Sequence, residues 1–283
     1  MAKKPEPAAD AEAFLRALAD PDRPPVPADA VALVVAHPDD ETIGVGAQLP
    51  RLPGLLVVLL TDGAPTDGTD AARHGFPSVA AYAATRRQEM QAALGLAGVP
   101  LDALVAWDIP DQDASLLLAD LSRRLADLFA ERGIGLVLTH AYEGGHPDHD
   151  AAAFAVRAAS RLLAKRKRAL AVVEMPFYNA GPEGWVSGRF LPAERVEETV
   201  VTLSDAERDG KGRMMAAHAS QAEILGRMDL AAERFRPAPP HDFTRPPADG
   251  PPLYESFGWG ITGERWRALA RAALGELGLD PAP

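Results

Sequence analysis

The sequence predicts an α/β fold, with a Rossmann-like, open and mostly parallel sheet and helices on both faces. Two observations carry that prediction. Apolar runs rich in β-branched residues recur along the chain, as in strands buried on both faces. Helical stretches separate those runs, which implies parallel pairing through right-handed crossovers.

The elements follow in order. Residues 1–29 are rich in Ala, Pro and Asp and read as an N-terminal extension, with one short helix over 11–18 and an extended lead-in over 21–27. Strands are expected at 31–36, 55–60, 103–107, 134–139 and 170–173. Helices are expected at 79–96, 114–132 and 150–165. Past residue 177 Gly, Pro and aromatic residues dominate. A strand then reads over 195–203, and Ser204 caps a helix predicted to run to about residue 228. The proline-dense stretch 237–252 must be irregular, and a last helix is expected over 263–277. The organisation expected is an extension (1–29), a catalytic Rossmann-like domain (30–230), and a Pro-rich segment and C-terminal helix (231–283) packing on that same domain.

Composition narrows the function. A net charge of −11 disfavours nucleic acid and anionic membrane as partners. Cysteine is absent, which removes disulfides, thiolate ligands and cysteine nucleophiles, so any metal site must use His and carboxylates. No signal-like segment and no apolar run of spanning length is present, and the expected location is cytoplasmic. The sequence leaves open whether the chain forms a homo-oligomer.

Two segments concentrate the chemistry: His37-Pro38-Asp39-Asp40-Glu41 after the first strand, and His146-Pro147-Asp148-His149 after the fourth. In open parallel sheets ligands bind beyond the carboxyl ends of the strands, where the strand order reverses. With the common order 3-2-1-4-5, strands one and four are neighbours and the two segments meet there. Imidazoles and carboxylates together can hold zinc while leaving a position for water. Each segment alone is also good turn chemistry, and Asp150 can cap a helix; two such segments at adjacent strand ends favour a site.

These residues carry a resemblance. Ala36-His37-Pro38-Asp39-Asp40-Glu41 and Gly145-His146-Pro147-Asp148-His149 resemble the two signature segments of the PIG-L/LmbE-like zinc-dependent deacetylases. The likeness extends to Thr61-Asp62-Gly63, to Arg86 and Glu89 with Leu94-Gly95, to Pro110-Asp111, and to His218-Ala219-Ser220-Gln221, so it spans roughly residues 31–228. The resemblance implies that His37, Asp40 and His149 ligate Zn2+, with Fe2+ possible in its place. It makes Asp39 the general base on water, and His146 a cation that meets the oxyanion or protonates the leaving amine, with Asp148 as its orienting partner. Glu41 is expected to support the loop. The implied reaction removes an N-acetyl group from a small N-acetylated molecule, most simply one that contains N-acetylglucosamine.

One departure concerns a tyrosine that mycothiol-type members place two residues before the first His of the second segment. Gly144 stands there in this chain, leaving Tyr142 and Glu143 as candidates to assist. Further substrate-binding candidates are Arg86, Asp62 and His218. Arg86 reads equally as one half of a helix-surface ion pair with Glu89 or Asp62. His74 reads as exposed, and Trp185, Trp259 and Trp266 include a possible sugar-stacking surface.

Competing functions fit less well. Gly44-Val45-Gly46-Ala47-Gln48-Leu49 lacks the third glycine of a dinucleotide fingerprint and follows three carboxylates. No phosphate loop or Gly-x-Ser-x-Gly elbow occurs. An amidase acting on a non-sugar N-acyl or thiol-conjugate substrate would share the chemistry and differ only in pocket walls. A metal- or sugar-binding protein without catalysis would not need Asp39.

Overall fold

The computed structural model describes residues 10–181, 184–193 and 196–281. Five parallel strands form its centre: β1 (Val31–Val35), β2 (Leu56–Pro65), β3 (Leu104–Asp111), β4 (Leu136–His140) and β5 (Ala171–Met175). Two antiparallel strands, β9 (Ala232–Pro237) and β8 (Thr199–Thr202), extend the sheet to the order β3-β2-β1-β4-β5-β9-β8. A separate hairpin pairs β6 (Tyr178–Gly181) with β7 (Gly184–Ser187).

The unbroken apolar strands are explained by burial on two faces. Ala32, Val34, Val58 and Leu60 face a core shared with α5 (Leu118–Arg132), α6 (Pro147–Lys165) and α9 (Gly263–Leu277). Their alternates Leu33, Val35, Val57 and Leu59 face a second core with α1 (Ala11–Leu18), α4 (Val79–Leu96) and α7 (Asp205–Ala217). Side chains alternate across a strand, so each strand must be apolar throughout to feed both layers.

The bounds of α1, α4 and α9 coincide with those read from sequence. Elsewhere the structure differs, for identifiable reasons. The helix expected from residue 150 starts at Pro147, because the His146 side chain caps it and proline suits a first-turn position. The one expected from residue 114 begins as a 3-10 turn (Ala114–Leu117) before α5. α7 stops at Ala217 rather than near residue 228; a short 3-10 turn (Ala219–Gln221) and α8 (Ala222–Leu225) follow. The strand expected over 195–203 is β8, shorter at both ends, and residue 195 lies outside the described residues. β9 has no counterpart in the sequence reading, because Glu233 and Arg236 interrupt its apolar pattern. Both are buried and ion-paired, Glu233 with Lys211 and Arg236 with Glu174. Two short helices, α2 (Asp40–Val45) and α3 (Thr69–Arg73), complete the molecule. Among the described residues no helix is long and apolar enough to cross a membrane.

The strand order places β1 beside β4, with Ala32 opposite Val137. Their carboxyl ends therefore open side by side, one leading to His37 and the other to the loop before His146.

Candidate metal centre and active site

His37, Asp40 and His149 converge as the two motifs imply. His37 Nδ1 lies 3.2 Å from His149 Nε2 and 3.3 Å from Asp40 Oδ2, and His149 Nε2 lies 3.3 Å from Asp40 Oδ1. Ligands about 2.0–2.1 Å from a tetrahedral zinc stand about 3.3 Å apart, so the three donors are spaced as one face of such a site. Their protonation suits a cation too. Burial pushes His149 down to about 3, which leaves a neutral imidazole. Burial pushes Asp40 up, but the neighbouring His149 and His140 outweigh that and hold it well below the usual carboxylate range. Burial acts to lower His37 as well, yet Asp111 and its companion carboxylates raise it well above the ordinary histidine value. Metal binding at such a cluster displaces the protons of its ligands, so affinity would depend on pH.

A second layer of groups orients the donors. His37 Nε2 lies 3.1 Å from Asp111 Oδ1 and 3.4 Å from Asp148 Oδ2, the carboxylate–histidine pairing that presents the other ring nitrogen to a metal. His140 is fully buried, its Nε2 accepts the Ala36 N–H at 3.0 Å, and its ring stacks on His149 at 4.1 Å. The resemblance takes in Pro110-Asp111 without giving Asp111 a partner, and nothing in the local sequence marks His140. Asp111 ends β3, 74 residues from His37, and only the strand order brings it there.

Asp39 stands beside the triad with φ 148° and ψ −24°, a backbone conformation that side chains rarely adopt. Arg86 holds it: Nη2 donates to Asp39 Oδ2 at 3.0 Å and to the Pro38 carbonyl at 3.1 Å, and Nη1 donates to the Gly63 carbonyl at 2.5 Å. Arg86 is therefore no surface residue, and it pairs with neither Glu89 nor Asp62. Burial pushes the Asp39 carboxyl up to about 7, against the pull of Arg86.

His146 is arranged differently from the expectation. Its Nδ1 accepts the backbone N–H of Asp148 at 3.1 Å, so the hydrogen of the neutral ring sits on Nε2, 3.6 Å from Asp111 Oδ1. The Asp148 carboxylate does not orient His146. It accepts the backbone N–H groups of Gln112 (2.6 Å) and Ala114 (3.1 Å) and faces His37.

The triad, Asp39 and His146 line a cavity of about 390 Å³. Of the other substrate-binding candidates only Arg86 lines it. Tyr142 donates to the Arg245 carbonyl and packs in the core. Glu143 accepts from the Leu191 N–H, Asp62 from the Ala64 N–H, and His218 bonds Glu41. Their polar atoms serve the fold. Trp185 and Trp259 line the cavity, whereas Trp266 is fully buried and donates to the Pro147 carbonyl. His74 reaches the rim and stacks on Tyr82. Gln221, which the sequence places toward the pocket from the later helix, lines the cavity. Sequence reasoning did not single out Tyr178, whose ring lies 5.2 Å from His149 and 4.2 Å from Trp185, nor Glu223, Ile224 and Arg227.

The two His-Pro-Asp motifs meet where the strand order of this α/β sheet reverses. Residues 32–160 match the model of the family described as GlcNAc-PI de-N-acetylase (PIG-L). Solved structures with the same fold include the A40926 pseudoaglycone deacetylase Dbv21 (TM-score 0.56, 20% identity, covering 74% of this chain and 96% of that one). They also include a teicoplanin deacetylase (0.55, 19%, 73% and 97%) and the N,N'-diacetylchitobiose deacetylase of Pyrococcus horikoshii (0.52, 18%, 73% and 82%). At these identities the likeness is one of fold. A search of curated proteins by sequence gave no match.

Proposed function

We propose that this protein hydrolyses an N-acetyl amide, most simply that of a small molecule or glycoconjugate containing N-acetylglucosamine. The observation that carries the reading is the mutual spacing of the His37, Asp40 and His149 donors, with the Asp39 carboxylate beside them. Those three residues would hold a divalent ion, zinc or iron, which supplies Lewis acidity and makes water acidic near neutral pH. The names of the family and of the structural neighbours support the choice of an acetylated sugar, as do the indole faces of Trp185 and Trp259 along the cavity.

The chain's own residues divide the work. Arg86 occupies Asp39 Oδ2, so Oδ1 takes the proton from water as it attacks the acetamide carbon. Burial that raises the Asp39 carboxyl to about 7 lets it hold this proton and return it to the departing nitrogen. His146, its Nδ1 already occupied by a backbone N–H, donates through Nε2 to the carbonyl oxygen as negative charge develops there. It serves as a neutral donor. Acetate and a free amine leave.

A panel tests the substrate class: acetate release from N-acetylglucosaminides, with N-acetylated amino acids and a thiol conjugate alongside. Faster release from the sugars is expected. Release confined to the amino acids or the thiol conjugate would replace the sugar with an amidase substrate of that kind.

A further inference from the structure

The His218–Gln221 element stands out in the sequence yet takes no part in the chemistry above. We infer that Glu41 and His218 are positioning residues, which hold Asp39 in the backbone conformation that aims its carboxylate. The inference rests on Asp39 being the base of the proposed reaction.

Asp39 lies in a left-handed region with φ 148°, where an L side chain is rarely found, so surrounding bonds must impose the conformation. Two groups do so. Arg86 takes the carboxylate and the preceding carbonyl. Glu41 turns back along the chain, and its Oε2 accepts the Asp39 N–H at 3.1 Å. The other oxygen, Oε1, is anchored by Thr42 Oγ1 at 2.7 Å and by His218 Nε2 at 3.0 Å. Glu41, Thr42 and His218 are all fully buried, so water does not compete for these bonds. Among the described residues His218 is the only basic side chain bonded to Glu41.

His218 is itself fixed from the helix that carries Arg86. It ends α7, and the two residues beyond its neighbour dock on α4: Ser220 N and Oγ donate to Glu89 at 2.9 and 2.6 Å, and Gln221 Nε2 donates to Tyr82 Oη at 2.7 Å. Tyr82, Arg86 and Glu89 are spaced four and three apart, hence on one face of α4. That face clamps Asp39 directly through Arg86, and through the 218–221 element it holds the histidine that anchors Glu41. The early end of α7 at Ala217 and the odd backbone of Asp39 then have one explanation.

The test compares Glu41→Ala, Glu41→Gln and His218→Ala with the wild type, by crystal structure and by steady-state kinetics of the zinc-loaded protein. Glutamine keeps an oxygen to accept the Asp39 N–H and offers an amide to His218. In Glu41→Ala the Asp39 φ should fall back to a negative value. Its kcat should drop about 10- to 100-fold with KM within about twofold, as for a misplaced catalytic group. Zinc content should stay at the wild-type level, and Glu41→Gln should restore both φ and most of kcat. His218→Ala should shift Asp39 the same way, and it decides the matter if Glu41→Ala does not fold. A positive Asp39 φ retained in the folded alanine variants overturns the inference whatever their activity. If the wild type releases no acetate from any substrate, the amidase reading fails alone, because the crystal structures still decide the positioning role.

Discussion

In the proposed reaction one side chain, that of Asp39, would stand close to a cation, hold a proton and keep an unfavourable backbone. Its neighbours His37 and Asp40 are placed by helix start and strand end, whereas Asp39 is placed by hydrogen bonds alone. Replacing it should therefore separate metal binding from turnover. Asp39→Asn is expected to keep metal content near that of the wild type and to lower turnover by about 10² to 10⁴. Metal analysis beside acetate release checks this, and undiminished turnover would place the base elsewhere. Glu143 offers a test away from the metal donors. Burial pushes its carboxyl up to about 8 from an ordinary 4.5, while its Oε1 accepts the Leu191 N–H at 2.6 Å. A raised carboxyl favours the folded state below pH 4.5, and that contribution is lost as pH climbs through about 8. Glu143→Gln should then lose less thermal stability than the wild type between pH 6 and 9. Parallel Tm profiles would contradict the assignment.

At the scale of elements, the strand ends and the glycines between them decide what reaches the cavity. β1 and β4 deliver the two motifs because they are adjacent, and the apolar runs that form them are plain in the sequence. The hairpin of β6 and β7 is not, since Tyr178–Ser187 has neither a helical nor an alternating apolar pattern. Its position depends on Gly145, where a Cβ would collide with the Tyr178 carbonyl oxygen. Gly145→Ala should push β6 outward and carry Tyr178 and Trp185 away from His149. Overpacking of this kind costs about 1–3 kcal/mol, or roughly 2–5 °C in Tm for a domain of this size. Calorimetry together with acetate release checks the prediction, and a variant with wild-type Tm and rate would show that the close approach carries no weight. The close approach at Gly145 is thus what lets β6 and β7 supply the aromatic wall.

Across the whole molecule, the parts legible beforehand are those with local signatures. Two-faced strands declare themselves by unbroken apolar runs, and α4 and α9 have the bounds that the sequence indicates. His37, Asp40 and His149 are legible because two rare tripeptides sit at strand ends that a common topology makes neighbours. What stayed hidden depends on long-range partners. Arg86 reads equally as a substrate-binding group and as half of a helix-surface ion pair until β2 and the first motif close around it. Asp111 and His140 gain meaning only when β3 and β4 flank their neighbours. β9 is disguised by buried charges whose partners, Lys211 and Glu174, lie on other elements. Tyr142 and Glu143 sit near the second motif in sequence, and His218 in a later matching element, but their polar atoms bond within the protein. The proposed function joins these scales: donors spaced for one ion, beside a carboxylate held by Arg86, would make a metal-dependent deacetylase. The most direct measurement is acetate released from an N-acetylglucosaminide by the protein as purified, after chelation, and after adding back one equivalent of zinc. The account predicts release that is lost on chelation and restored by zinc; undiminished release from the metal-free protein would contradict it.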